Sequence, residues 1–172
     1  MNWGFILFSM KGRLGPNAFL IGALVLIGIS TVLTLAPLLN ASLASLGILG
    51  LPMVWCWIAL WVKRLHDAGQ SGWMFIVVLI IYFIVSMILT PIITAVMGAP
   101  VPEFSGDFSD FMEFAQESAV LGAVPNAVAG FVVSLLVVWV ANLVLKSTPG
   151  DNEHGPQPTT ASSAPNSDSG ES

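Results

Sequence analysis

Lys63-Arg64-Leu65-His66-Asp67-Ala68-Gly69-Gln70-Ser71-Gly72-Trp73 is the only charged, turn-rich break in a stretch that is otherwise apolar from residue 19 to residue 97. What lies on either side reads as one helical hairpin leading into this break and a second leading out of it. The 172-residue chain is 55% hydrophobic and 9% charged, with a mean hydropathy of +0.85. A soluble domain carries about 25% charged residues, so this composition belongs in lipid. The net charge of −5 conceals a segregation. All five basic residues (Lys11, Arg13, Lys63, Arg64 and Lys146) flank apolar runs, whereas nine of the ten acids fall in residues 103–117 or beyond residue 150. Cys56, the only cysteine, sits inside an apolar run and reads as a small packed hydrophobe.

Four spans are expected, at about 17–39, 43–62, 73–97 and 120–145, each long enough at 1.5 Å per residue to cross a core of about 30 Å. Residues 1–16 form an interfacial segment, with Trp3, Phe5 and Phe8 at headgroup level. A signal-type cleavage after Ser42-Leu43-Ala44 is the competing reading of the first span. Pro16 suits the first position of a helix, and the Ala18/Gly22 spacing permits close helix approach. Gly47, Gly50 and Pro52 make the start of the second span bendable. In the third, Ser86, Thr90 and Thr94 share one face and Pro91 predicts a kink. They read either as a polar path or as hydroxyls bonded back to their own helix. In the fourth, Ala119, Ala123, Ala127, Gly130 and Ser134 predict a packing seam.

The connection at 98–118 is acidic, with Glu103, Asp107, Asp110, Glu113 and Glu117 on one side of a short surface helix capped by Ser109. These acids lack the spacing of a calcium loop, and no metal site is expected. Residues 147–172 contain almost nothing apolar and are expected to form a disordered tail. Because basic residues favour the cytoplasmic side, the expected fold is an all-α membrane protein of two hairpins with both termini cytoplasmic. The acidic loop then faces the periplasm.

Within the central turn, Lys63 and Arg64 end the second span, where cations complement the helix dipole. Gly69 supplies the left-handed stop, Ser71 the next N-cap, and Trp73 an interfacial anchor. His66 and Asp67 need another explanation. Asp67 is expected to pair with Arg64 or with Arg13, which would tie the two hairpins together.

Residues 63–73 closely resemble the Arg-Arg-Leu-His-Asp turn of the YhaH-like bacterial inner-membrane proteins, the domain of unknown function 805 family. Phe8-Ser9-Met10-Lys11-Gly12-Arg13-Leu14-Gly15 is similar to that family's Gly-Arg segment before the first span. Pro149-Gly150-Asp151-Asn152-Glu153-His154-Gly155-Pro156 is similar to its Pro-Gly-x-Asn-x-x-Gly segment after the last. Lys63 and Gln70 depart from the family's usual arginines, and Glu153-His154 from an Arg-aromatic pair. The resemblance implies the bacterial inner membrane and a multi-pass helical fold, and it implies no reaction.

Three functions fit these residues. A non-enzymatic module would bind lipid headgroups, a membrane-protein partner or a second copy through Arg13, Lys63, Arg64 and Lys146, with His66, Asp67, Gly69, Ser71, Gly72 and Trp73 shaping the turn. A subunit of an oligomeric transporter or channel would use the hydroxyl stripe and Asn142, although no span carries a charge. A membrane enzyme would use His66 and Asp67, although adjacent helical residues point about 100° apart. No cofactor motif and no nucleic-acid-binding patch is present in the sequence.

Overall fold

The computed structural model describes residues 3–98 and 108–158, with the side chains of 108–113 and 116 excepted. Among these residues the regular elements are all helical. They are α1 (Trp3–Phe8), α2 (Pro16–Leu35), α3 (Gly50–Asp67), α4 (Phe75–Val96), α5 (Phe108–Leu121) and α6 (Ala123–Val144). Among the described residues four stretches are long and apolar enough to cross a membrane: Pro16–Leu38, Ala41–Asp67, Gly72–Val96 and Ala123–Val144.

The boundaries differ from the sequence expectation for local reasons. The second span opens as a 3-10 segment, Ala41–Leu49, capped by Asn40, whose side chain accepts from Ser42 N at 3.0 Å. The α-helix begins only at Gly50, placing Pro52 in its first turn, where a missing N–H costs nothing. At the other end α3 continues past residue 62 to Asp67, so the charged half of the central turn is helical. It stops where expected. Gly69 adopts φ +68°, Gln70 N donates to Leu65 O (2.9 Å) and Gly69 N to His66 O (3.1 Å), the paired bonds of a Schellman cap.

Ser71 occupies a cap position but makes no side-chain cap. A 3-10 turn, Gly72–Met74, precedes α4, and the Ser71 carbonyl closes it by accepting from Met74 N. Pro91 lies inside α4 without ending it. The surface helix α5 runs on to Leu121, so α6 starts after Gly122 rather than near residue 120. The carboxylates expected on its polar face, from Glu103 to Glu113, and the Ser109 cap lie outside the described side chains.

Around the bundle the order is α3, α2, α6, α4: α2 packs on α3 and α6, and α4 packs chiefly on α6. The two hairpins, α2/α3 and α4/α6, are therefore joined by the α2–α6 contact. Gly22 on α2 allows the approach to α3, because a Cβ there would stand 2.7 Å from Leu60 Cδ1. The core is Phe19, Ala23, Leu26, Cys56, Leu60, Trp61, Val133, Val137 and Val138, with Phe19 edge-on to Trp61 at 4.9 Å. No residue of α4 is buried, and most of its isoleucines and Phe83 face outward, while Phe75 packs against the core. Such a surface is stable against hydrocarbon, not water.

Candidate functional site

Asp67, the last residue of α3, has a fully buried side chain. Its Oδ1 accepts from Arg13 Nη2 (3.2 Å) and Arg13 Nε (3.3 Å). Its Oδ2 accepts from Arg64 Nη1 (2.7 Å) and from the Ser147 hydroxyl. Its backbone carbonyl accepts from Thr148 N at 2.8 Å. A carboxylate taken from water at this depth is tolerable only when paired and hydrogen-bonded, and here both oxygens are engaged. The sequence offered Arg64 or Arg13 as its partner. The structure brings both.

The cations need more acceptors than one carboxylate supplies, and backbone carbonyls provide them. Arg13 donates to Thr148 O and Gly150 O, each at 2.6 Å. Arg64 donates to Ser147 Oγ (3.2 Å) and Leu145 O, while its Nε has no acceptor among the described residues. Lys63, also fully buried, donates to Phe5 O and to Ile6 O (2.7 Å) and lies 4.7 Å over the Phe5 ring. It thus caps C-terminal carbonyls of α1, where a cation complements the helix dipole. The expected headgroup-facing cluster is accordingly turned inward. Only Lys11 and Lys146 of the five basic residues remain exposed.

His66 points elsewhere. Its Nδ1 is 3.3 Å from Gly12 O, and its ring stacks on His154 at 3.9 Å and 11°. Asn152 Nδ2 donates to His66 O at 3.0 Å and turns the chain so that His154 reaches that ring. His66 and Asp67 thus serve different contacts and do not form a dyad. Gly69 passes so close to Thr148 that a Cβ would lie 2.8 Å from Oγ1. Ser71, Gly72 and Trp73 lie outside the knot. Gly72 passes beneath His66, and Trp73 is 79% exposed, the setting of an interfacial ring.

The tail expected to be disordered from residue 147 corrects that reading. Residues 147–158 are held against the turn: the Thr148 and Gly150 carbonyls accept from buried Arg13, the Ser147 hydroxyl bridges Arg64 and Asp67, and Asn152 donates to His66 O. Residues 159–172 lie outside the described residues. Composition did not signal this. The resemblance at residues 149–156 marked the segment without giving its role.

The Ser86/Thr90/Thr94 stripe is bonded along its own helix: the Ser86 and Thr90 hydroxyls are 3.4 Å apart and Thr94 donates to Thr90 O at 3.0 Å. Among the described residues no group of three His, Cys, Asp or Glu side chains could hold a metal ion.

Four helices built to cross a membrane, fastened at one end by a buried arginine–aspartate–arginine knot, define a small multi-pass membrane protein. Its family can be stated. The chain belongs to the protein family of unknown function DUF805, whose model matches residues 7–156. Comparison with curated proteins and with solved structures finds no match.

Proposed function

We propose that the chain is a non-enzymatic module of the bacterial inner membrane, with both termini in the cytosol, that takes a partner protein on the face assembled around Asp67. One observation carries this reading: Asp67 gathers Arg13, Arg64 and Ser147, so three segments distant in sequence make one rigid surface. Orientation is supported by the placing of every basic residue at alternate span ends. The surface exposes Lys11, Gln70, Asp151 and Glu153, a mixture of signs suited to a protein rather than to a uniformly anionic membrane.

A second reading, contact with anionic headgroups, rests on the exposure of Lys11 and Lys146 alone. A His66/Asp67 enzyme and an oligomeric transporter rank behind both, given the separate contacts of His66 and Asp67 and the inward-bonded hydroxyls of α4. The test is photo-crosslinking from Gln70 and Glu153 in intact cells. A discrete protein adduct lost in Asp67→Asn supports the proposal, and adducts with lipid only, or none, overturn it.

A further inference from the structure

The helices α2, α3, α4 and α6 do not close on one another along their whole length. They surround a cavity of about 380 Å³, within the range of sites that hold small organic ligands. Its origin lies in α6. Ala127, Gly130 and Ser134 line it, and a Cβ added at Gly130 would meet nothing within 4 Å. Part of the small-residue face read as a packing seam therefore borders a hollow. Because α4 leans on α6 and touches α3 little, the hollow is open sideways. Val54 and Leu79, its wall residues on α3 and α4, are 54% and 51% exposed.

The wall has no charged side chain, and midway along it the Tyr82 and Ser134 hydroxyls stand 3.5 Å apart, turned to each other. Toward Asp67 it is apolar, with Trp61, Phe75, Val78 and Val138; toward the far end it carries Ser30, Thr31, Thr34 and Asn126. The hydroxyls of Thr31 and Thr34 donate to Ile27 O (2.8 Å) and Ser30 O (2.9 Å), which leaves their lone pairs as acceptors and keeps the rim neutral. Asn126 and Val138 mark the ends of the wall on α6, about 18 Å apart at 1.5 Å per residue. One leaflet of hydrocarbon is about 15 Å deep, half of the 30 Å core. A neutral slot of that depth, open to the bilayer and polar at the level where a leaflet's esters begin, matches one kind of molecule.

We propose that this cavity holds one acyl chain of a phospholipid from the leaflet remote from Asp67. Its ester region lies at the level of Thr34 and Asn126 and its chain end beside Trp61. The site is separate from the Asp67 face and does not depend on what that face binds.

Trp61 supplies the probe. A chain whose other five tryptophans (Trp3, Trp55, Trp57, Trp73 and Trp139) are changed to Phe is reconstituted in phosphatidylcholine vesicles whose acyl chains carry bromine near the methyl end. Trp61, only 5% exposed, is quenched if a chain enters the cavity. Gly130→Leu fills the space and removes most of the quenching, whereas Gly130→Ala retains it. Absent quenching, or equal quenching in the Leu variant, overturns the proposal. The unaltered chain gives a second measurement that needs no tryptophan replacement. Washed in mild detergent, it retains phospholipid that its Gly130→Leu variant loses. Equal lipid in both overturns the proposal, and so does a change of oligomeric state in Gly130→Leu without lipid loss, which would mark the space as a seat for a second copy.

Discussion

Arg13 Nη2 and Asp67 Oδ1 stand 3.2 Å apart with both side chains out of solvent, although 54 positions separate them in the chain. The pair locks the segment before α2 to the end of α3, and the same carboxylate holds Arg64 and the chain beyond α6. Breaking such a pair by removing one member leaves a buried charge without compensation.

Asp67→Asn keeps the volume and removes the charge. The expected loss is about 3–5 kcal/mol of stability, the range for orphaning one partner of a buried ion pair. Unfolding in detergent measures it. Because Arg13 and Asp67 touch, Arg13→Ala combined with Asp67→Ala costs less than the sum of the two single changes; additive losses would show that the contact is energetically silent.

Ending the chain after Lys146 removes two acceptors of Arg13, the Thr148 and Gly150 carbonyls, and the Ser147 hydroxyl on Asp67. Ending it after Pro158 removes none of them. The chain ending at Pro158 is expected to melt with the full chain, and the chain ending at Lys146 well below it. Equal melting temperatures would mean that residues 147–158 contribute no stability.

Lys63→Met removes the ammonium hydrogen bonds to the Phe5 and Ile6 carbonyls. Helix α1 should then fray, read as faster amide hydrogen exchange in residues 3–8 with α2 and α6 unchanged. Lys63→Arg, which keeps the charge, should restore part of the protection.

Gly22→Leu drives a side chain into Leu60, 2.7 Å from even a bare Cβ. Overpacking of this kind costs about 1–3 kcal/mol, again read from detergent unfolding. Gly28→Leu, at a position with nothing within 4 Å, is the matched control and should be neutral.

Much of this was legible in the residues. Span number followed from hydropathy, because long charge-free runs have one stable state in a membrane. Gly69 declared the end of α3 through its left-handed backbone, and Asp67 near Arg64 and Arg13 announced an ion pair, though not its burial. The 3-10 start of the second span was visible only as a cluster of Gly47, Gly50 and Pro52, whose flexibility does not name a geometry. Ser71 looked like a cap, yet its carbonyl performs the closure. Residues 147–158 were read as disordered because apolar content measures one source of order only. What orders them is the need of Arg13 for oxygen, supplied by the Thr148 and Gly150 carbonyls, together with the Ser147 hydroxyl between Arg64 and Asp67; main-chain acceptors carry no sequence signature.

The two acceptors at residues 148 and 150 have a consequence for assembly. They follow α6, 135 and 137 positions beyond Arg13, so a chain in which only α2 and α3 have packed offers that guanidinium Asp67 alone. Its remaining oxygens arrive only when α6 docks. The joint thereby makes the closing of one hairpin on the other a condition for fully satisfying a buried cation.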